Sequence, residues 1–484
     1  MLIQLVIQRI YGNIVMDTIW QPTLTAVSGP KYKAVAQTIR DGVARGELVE
    51  GEKLPPVRDL AWKLGITPGT VARAYTILTD EGMLMAEVGR GTFVALKRNF
   101  APLFAPIEID SAVHGQEPQT YQVNLFSPHL PNVGQARLIR QLLSDIAHDP
   151  PSGVMHYPSR QTSRAAREAA VKWLKNAPLG DFNRGSLTLT NGGQNAIVMV
   201  MQAVLKGRKP TILVEELAYP GFRRAAELLR VNVVPIAMDE DGIIPEALAA
   251  ACQSYEAQIL CTSPEVHNPT CGFTPEHRRA EIVAVARKHD LQILEDDCYR
   301  MGAAVAPTYR MLAPERGWYI SSISKTVTPA LRIGIAVAPE GKGAILRRAA
   351  EHSFFGLATP ITDLCARLLV HPQLDALTTK ARMGTNTFVE SAVNILGGYD
   401  LNWRMDVPFL WLKLPEGWRA GAFCQAAESV GVQIRPAEEF ACRDARAPHA
   451  IRFAINAGVS LENFEAAIGR LRDLLDNPHD QIGV

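Results

Sequence analysis

The sequence predicts a multidomain protein in which a small α+β domain near the N-terminus precedes a larger α/β domain with a mainly parallel sheet. Residues 31–96 contain three short amphipathic segments and a hairpin pattern. From residue 123 onward, apolar strand candidates alternate with helical segments, which is typical of an α/β domain. The stretch 97–122 contains several prolines and lacks periodicity, so it is predicted to be a linker.

The composition of the 484-residue chain is typical of globular proteins, with 47% hydrophobic and 20% charged residues. The net charge of +1 excludes a broadly polybasic protein, so any contact with nucleic acid must come from a local patch. The seven cysteines are odd in number and contain no C-x-x-C pair, which disfavours a disulfide framework. No metal site is predicted. No apolar run reaches the roughly 18 residues of a membrane span, so a cytoplasmic location is expected.

The first domain has the pattern of a helix-turn-helix followed by a hairpin. One apolar face runs along "LPPVRDLAWKLG", and after a short turn Thr67 provides the N-cap of "ITPGTVARAYTILTDEG". Apolar and β-branched runs then lie on either side of Gly89, Arg90 and Gly91 in "MLMAEVGRGTFVAL". Two short helices joined by a tight turn predict a helix-turn-helix, and the hairpin would be its wing.

Candidate DNA contacts lie at the helix starts and at the hairpin tip. In a helix-turn-helix, the first residues of the second helix enter the major groove, while basic and hydroxyl side chains hold phosphates. An ordinary packing domain explains the helix pair alone equally well, but the order of all the elements favours DNA binding. The candidate residues are Arg58, Thr67, Thr70, Arg73 and Arg90, with Gly89 and Gly91 beside the last.

Nearly the whole of this domain resembles the winged helix-turn-helix of GntR-family transcription regulators. The matching residues are "GPKYKAVAQTIRDGVARGELVEGEKLPPVRDLAWKLGITPGTVARAYTILTDEGMLMAEVGRGTFV". The resemblance implies binding to double-stranded operator DNA through Arg58, the helix start Thr67–Arg73 and the wing glycines Gly89 and Gly91.

Residues 1–30 are predicted to be an N-terminal extension. Met16 begins "MDTIWQPTL", which looks like the usual start of such regulators. Residues 1–15 are therefore expected to be either a wrongly assigned start or a disordered extension, and the intact mass of the native protein would distinguish the two.

The second domain carries every group that a phosphorylated pyridine aldehyde needs from a protein. These groups are a lysine for a Schiff base, a carboxylate at the ring nitrogen, a donor at the phenolic oxygen, a phosphate-binding turn and a stacking aromatic. Taken singly, each candidate has an ordinary explanation as a turn residue, a helix cap or a surface charge. The candidates are Lys325 for the Schiff base, Asp296 for the ring nitrogen, Asn268 and Tyr299 for the phenolic oxygen, Gly193, Gln194, Ser322 and Arg332 for the phosphate, Tyr219 for stacking, and Arg452 for a ligand carboxylate.

The motifs around these residues give the physical reasons for the assignments. In "TNGGQNAI" a strand ends and a helix begins, so the amides of Gly193 and Gln194 can point at a phosphate. The strand "LQILEDDCYR" ends in three carboxylates, at the edge where open α/β sheets build their sites. Asp296 would keep the ring nitrogen protonated. The planar guanidinium groups of Arg332 and Arg452 suit phosphate and carboxylate, respectively.

In their order along the chain, these motifs resemble those of fold-type I pyridoxal-phosphate enzymes of the aspartate aminotransferase superfamily, over residues 123–484. The resemblance implies pyridoxal 5'-phosphate as the cofactor, a large subdomain at about 185–340 and a small subdomain from the flanking segments. Tyr157 resembles a tyrosine that reaches the phosphate of the neighbouring subunit, which implies a homodimer with shared sites. Cys271 stands where the family usually has glycine.

The fusion of the two domains resembles the MocR/GabR-type subfamily of GntR-family transcription regulators. This resemblance implies a DNA-binding transcription regulator that depends on pyridoxal phosphate and senses an amine or amino acid through external aldimine formation. The amine would displace Lys325, and Arg452 would grip its carboxylate. Two alternatives stay open: a catalytically active aminotransferase with an appended DNA-binding domain, and a sensor of pyridoxal phosphate itself.

Overall fold

A computed structural model describes two compact units, which lie within residues 1–112 and 113–484. The described residues are 31–49, 51–80, 83–87, 91–95, 122–442 and 445–477. The predicted N-terminal extension, nearly all of the predicted linker, and the hairpin residues Gly89 and Arg90 lie outside the described residues.

Within its described residues, the N-terminal unit has three helices and a two-stranded antiparallel hairpin, as the sequence predicts. Its elements are α1 (Lys31–Ala44), α2 (Val57–Lys63), α3 (Pro68–Asp80), β1 (Leu84–Glu87) and β2 (Gly91–Val94). The apolar stripe of α3 is buried, with Val71 and Leu78 fully enclosed against α1 and α2. The hydroxyl of Tyr75 donates a hydrogen bond to the Pro55 carbonyl at 2.8 Å, which fastens α3 to the segment before α2.

The C-terminal unit is built around a seven-stranded sheet. The strands of this unit are β3 (Val123–Asn124), β4 (Leu187–Asn191), β5 (Thr211–Glu215), β6 (Asn232–Ile236), β7 (Met238–Asp239), β8 (Gly242–Ile243), β9 (Ala257–Thr262), β10 (Gln292–Asp296), β11 (Gly317–Ser322), β12 (Ile333–Val337), β13 (Leu401–Asn402), β14 (Phe409–Lys413), β15 (Val432–Gln433), β16 (Arg435–Pro436) and β17 (Ala450–Ala454). The large sheet has the order β4-β12-β11-β10-β9-β5-β6.

Helices alternate with these strands along the chain. They are α4 (Gln135–His148), α5 (Arg164–Trp173), α6 (Gly192–Val204), α7 (Pro220–Leu229), α8 (Pro245–Ser254), α9 (Glu276–Lys288), α10 (Tyr309–Leu312), α11 (Gly343–Phe354), α12 (Thr359–Leu368), α13 (Leu374–Leu396), α14 (Ala420–Ser429) and α15 (Leu461–Asp476). No helix in the described ranges is long and apolar enough to cross a membrane.

The apolar strand candidates predicted for the α/β domain, such as "TILVEE", "QILCTS" and "LQILED", are strands of the large sheet. Strands β11, β10, β9, β5 and β6 are parallel, while β12 is antiparallel to both of its neighbours. The central strands are buried on both faces, which explains their uninterrupted apolar sequences. The prediction of a mainly parallel sheet is confirmed, and the carboxyl ends of β5, β9 and β10 meet at one edge.

A second, antiparallel sheet of order β13-β14-β17-β16 lies late in the chain. Strand β3 pairs with β15, so the first described residues after the linker join this late part of the chain. Helices α13 and α15 pack together beside it and share one apolar core with these strands. The sequence pattern did not predict this sheet, and the subdomain limits at 185 and 340 stay a prediction.

The loop between β9 and α9, which carries Asn268, is held by a fully buried arginine. Arg279 on α9 donates hydrogen bonds to the Thr274 carbonyl at 2.8 Å and to the Glu265 carboxylate at 2.9 Å. In the same loop Cys271 adopts a left-handed backbone with φ of 63°, a conformation that glycine adopts without strain. The family's usual glycine at this position therefore has a backbone reason.

Candidate functional site

One cavity at the carboxyl ends of the central strands gathers most of the predicted cofactor residues. It lies beside the start of α6 and the turn after β11, which the short 3-10 helix Ile323–Lys325 forms. The lining residues are Gly193, Gln194, Tyr219, Asp296, Tyr299, Ser322, Lys325 and Arg332 from the predicted set, together with Cys298 and Ser324.

The start of α6 and Arg332 form the phosphate-binding part of this cavity. Gly192 has φ of 81°, and a Cβ atom on it would lie 2.6 Å from Nη2 of Arg332. Only glycine therefore lets the guanidinium lie against the first turn of the helix, where backbone N–H groups are free to bind an anion. Ser322 Oγ lies 2.9 Å from Ser324 Oγ in the same part of the cavity.

The three consecutive carboxylates at the end of β10 differ sharply in their partners. Glu295 accepts a hydrogen bond from the Tyr309 backbone N–H at 2.6 Å and lies 3.6 Å from the guanidinium of Arg279. Asp297 is 2.6 Å from Arg300 Nε and accepts a hydrogen bond from a tyrosine hydroxyl. Asp296 has no ion pair among the described residues and accepts a bond from the Cys298 backbone N–H at 3.0 Å. Only Asp296 is left without a cation.

Burial makes the charge of Asp296 costly. Its pKa is raised from 3.8 to about 6, mainly because burial penalises the carboxylate, although the hydrogen bonds from Cys298 oppose this effect. Glu215, at the end of β5, also has a pKa raised by burial, to about 7. If the positively charged nitrogen of a bound pyridine ring lay beside Asp296, it would offset the free-energy cost of this buried carboxylate.

Asn268 and Arg452 are joined to each other, and Arg452 lies against Tyr299, one of the residues that line the cavity. Arg452 Nη1 donates to Oδ1 of Asn268 at 3.0 Å, and Arg452 Nη2 donates to the Phe126 carbonyl. The two side chains are only 1% and 3% exposed, respectively. Among the described residues, Nδ2 of Asn268 has no hydrogen-bond partner. Asn268 thus offers a buried N–H donor, while Arg452 is engaged with the protein itself.

Lys325 lies next to Tyr299 and the segment that follows β3. Its Nζ atom is 5.7 Å from the centre of the Tyr299 ring and donates to the Pro128 carbonyl at 3.4 Å. Nε2 of Gln194 donates to the Gly221 carbonyl at 2.9 Å, which holds the turn that carries Tyr219. The side chain of Gln194 therefore positions the turn with Tyr219, in addition to the phosphate contact that is predicted for its backbone amide.

Tyr157 stands apart from this cavity in the single chain, with 87% of its surface exposed. The sequence prediction omitted two lining residues, Cys298 and Ser324. Both lie inside motifs that were already recognised, between Asp296 and Tyr299 and directly before Lys325. Their position in the sequence next to predicted cofactor residues could have identified them as lining residues.

In the N-terminal unit, the predicted DNA contacts that fall within the described residues lie on exposed or half-exposed surface. Arg58 is exposed in the first turn of α2, and the hydroxyl groups of Thr67 and Thr70 lie 2.9 Å apart at the start of α3. Arg73 is exposed, and its guanidinium lies over the ring of Tyr32, 4.3 Å from the ring centre.

At the hairpin, Gly91 has φ of 118°, and a Cβ atom on it would lie 2.9 Å from Cε of Lys53. Lys53 is a basic residue beside the wing that the sequence prediction omitted, because it lies in the segment between α1 and the helix-turn-helix pair.

The family comparison decides what these two units are. Residues 131–471 match the sequence model of the family "Aminotransferase class I and II". The chain belongs to this family. Residues 31–94 match the model of bacterial regulatory proteins of the gntR family. The prediction of a MocR/GabR-type regulator, a gntR-type DNA-binding domain fused to an aminotransferase-type domain, is confirmed.

Individual relatives agree with this membership. YdeF, an uncharacterized HTH-type transcriptional regulator of Bacillus subtilis, is 28% identical over 461 residues, which cover 95% of this chain and 97% of YdeF. The HTH-type pyridoxine biosynthesis transcriptional regulator PdxR of Corynebacterium glutamicum is 27% identical over 64% of this chain and 67% of PdxR. The crystal structure of an archaeal alanine:glyoxylate aminotransferase matches with a TM-score of 0.66 and 19% identity, over 74% of this chain and 91% of that chain, which shows the shared fold.

Pyridoxal 5'-phosphate is the cofactor of this aminotransferase-type domain, and the residues in and beside the cavity fit it. Asn268 has a buried N–H without an acceptor among the described residues, which suits the phenolic oxygen. Asp296 is a buried carboxylate that lacks a cation, and Arg332 lies against the first turn of α6. The roles of the individual residues toward the cofactor stay predictions.

We expect Asp296→Asn to stabilise the cofactor-free protein at pH 8 by up to about 3 kcal/mol, and to weaken retention of the cofactor. Between about pH 4 and pH 6, Asp296 is protonated in the folded protein but ionised in the unfolded chain, because its pKa is about 6 when folded and 3.8 when unfolded. The cost of the buried charge is therefore absent below about pH 4, grows up to about pH 6 and is constant above it.

Urea unfolding of wild type and variant across this pH range measures the difference. Asp297→Asn is the matched control, because it removes the partner of Arg300 and should destabilise the protein by about 3 kcal/mol or more. Equal stability of Asp296→Asn and wild type at pH 8 would contradict the assignment of an uncompensated charge to Asp296.

Proposed function

We propose that this transcription regulator senses a primary amine or amino acid in the cavity around Lys325 and adjusts its DNA binding accordingly. The observation that carries the proposal is Asp296, a buried carboxylate that pairs with no cation of the described ranges, in one cavity with a lysine and an arginine that suits phosphate. The fused gntR-type domain supplies the output, because it binds DNA. A regulator works where the DNA is, so we also propose a cytoplasmic location.

Different residues of the cavity would bind the cofactor and the amine. Pyridoxal phosphate supplies an aldehyde carbon that forms an imine with a primary amine. Arg332, Ser322 and the first turn of α6 would hold the phosphate, and Asp296 would hold the protonated ring nitrogen. Lys325 would hold the aldehyde carbon of the cofactor through its Nζ, and the amine of an effector would compete with Nζ for that carbon.

Arg452 would bind the carboxylate of an amino-acid effector. Its Nη1 and Nη2 donate to Asn268 and the Phe126 carbonyl, and its Nε has no hydrogen-bond partner among the described residues. Because a guanidinium has five N–H groups, Arg452 could bind a ligand carboxylate while it keeps these two contacts. A ligand shifts a protein only by binding one of its states better than another, and the segment that contains Phe126 would feel such a carboxylate through their shared contact with Arg452.

We also propose that the protein is a homodimer. Val154, Met155, Tyr157 and Phe355 are large apolar or aromatic side chains that are mostly exposed in the single chain. Pro158 and Phe355 line one cavity, so part of this apolar surface is continuous. A contiguous exposed apolar patch is typical of an interface, and a second copy would place Tyr157 at a neighbouring site, as the family resemblance implies.

An active aminotransferase remains the second candidate, because the predicted cofactor residues and Arg452 are all retained. Steady release of a keto acid from an amino donor would favour this candidate. The name of PdxR, a regulator of pyridoxine biosynthesis, favours a third reading in which pyridoxal phosphate itself is the signal. In that case the presence of the cofactor alone would change the affinity for DNA.

We expect Lys325→Ala to lose covalent attachment of the cofactor, because Lys325 is the only lysine that lines the described cavity. Borohydride reduction of the purified protein followed by intact mass under denaturing conditions should show a cofactor adduct on wild type and none on the variant. Lys413→Ala removes an exposed lysine paired with Asp400 and should keep the adduct. An adduct on Lys325→Ala would exclude the assigned lysine.

We expect Arg58→Ala and Arg73→Ala each to weaken binding to DNA from the region upstream of the protein's own coding sequence. If each arginine neutralises one phosphate, the salt dependence of the affinity should fall by about one unit of slope per variant. Fluorescence anisotropy over a range of salt concentrations measures both effects. Arg45→Ala, an exposed arginine paired with Glu47 in the same domain, is the control. Wild-type binding by both variants would refute the DNA-contact assignment.

A further inference from the structure

Two arginines converge on one carbonyl oxygen at the border of the effector site. Strands β16 and β17 place Arg435 directly opposite Arg452 in their antiparallel register. Nε of Arg435 donates to the Phe126 carbonyl at 3.3 Å, and Nη2 of Arg452 donates to the same oxygen. The guanidinium of Arg435 also lies over the Phe126 ring, 4.6 Å from its centre. The neutral carbonyl oxygen of Phe126 thus accepts hydrogen bonds from two positively charged guanidinium groups.

This arrangement carries more positive than negative charge. Burial lowers the pKa of the Arg452 guanidinium and the neighbouring charge of Arg435 lowers it further, although the adjacent Tyr299 opposes both effects. Among the described residues, the carboxylate paired with these two arginines is Glu439, which lies 2.5 Å from Nη1 of Arg435. Two guanidinium groups and one carboxylate leave one net positive charge, which an anionic ligand would neutralise.

The contact between Arg435 and Glu439 is open to solvent, unlike the contacts of Arg452. The side chains of Arg435 and Glu439 are 22% and 37% exposed, whereas Arg452 is 3% exposed. An ion pair with this exposure adds little stability and exchanges readily. A ligand carboxylate can therefore replace Glu439 on Arg435 without leaving a buried charge behind.

The shared carbonyl connects this pair of arginines to the cofactor lysine. Pro128, two residues after Phe126, accepts a hydrogen bond from Nζ of Lys325. The same short segment therefore contacts Lys325 at one end and both arginines at the other. Arg452 is also bound to Asn268, the predicted partner of the phenolic oxygen. Arg435 is thus the next cation beyond Arg452 along this border of the site.

We propose that Arg435 is a specificity-determining residue that selects amino-acid effectors carrying a second acidic group. This inference rests on the proposed function, in which Arg452 binds the carboxylate next to the amine. Arg435 binds the second carboxylate, and Glu439 holds Arg435 in place until that group arrives. The favoured effector class is the acidic amino acids, in preference to their uncharged amides.

The test compares ligands that differ by one charge at constant shape. The cofactor-loaded full-length protein is titrated by calorimetry with L-glutamate and L-glutamine, and with L-aspartate and L-asparagine. Of glutamate and aspartate, the one that wild type binds more tightly should bind about tenfold or more tightly than its own amide. A hydrogen bond between charged groups contributes enough free energy for a difference of this size. Arg435→Gln should bring this ratio close to one, and Arg435→Lys should retain part of it. Glu439→Gln should tighten binding of the acid, because the internal competitor has lost its charge.

Retention of the cofactor by each variant shows that it is folded. Equal affinity of wild type for acid and amide, or an equal loss of both in Arg435→Gln, would overturn the role of Arg435. Failure of wild type to bind any of the four amino acids would also overturn it. A panel of uncharged primary amines then separates the two claims: binding of any of them would leave the proposed amine sensing intact, and binding of none would refute the proposed function as well.

Discussion

The carboxylate of Asp296 is the constraint around which the C-terminal unit is organised. It ends a buried strand, and no cation among the described residues reaches it, although Glu295 and Asp297 beside it are both paired. A buried charge without a partner is expensive. The cavity therefore favours a ligand that brings positive charge to this point, as the protonated ring nitrogen of pyridoxal phosphate would.

The order of strands in the large sheet brings the other predicted groups to the same place. Strand β11 lies between β10 and β12, so the turn with Lys325 follows the neighbour of the Asp296 strand. Strand β12 is antiparallel, and Arg332 directly before it comes to lie against Gly192 at the start of α6. Residues from four separated sequence motifs thus line one cavity.

Much of this could be predicted from the sequence, because the central strands are apolar throughout and end in polar motifs. The antiparallel direction of β12 could not, since an apolar run has the same pattern in either direction. The second sheet was not predicted because two of its four strands are only two residues long. The burial of Arg452 and the approach of Arg435 depend on pairing between β16 and β17, which spacing along the chain does not reveal.

Under the proposed function, amine binding at Lys325 is coupled to DNA binding by the N-terminal unit. The most direct measurement is the affinity for DNA with and without a saturating amine effector, together with the affinity for that amine with and without DNA. Thermodynamic linkage requires both affinities to change by the same factor. The account predicts a shared factor of about five or more in wild type, and a factor of one in Lys325→Ala. An amine that binds the wild-type protein and leaves its affinity for DNA unchanged would contradict the account.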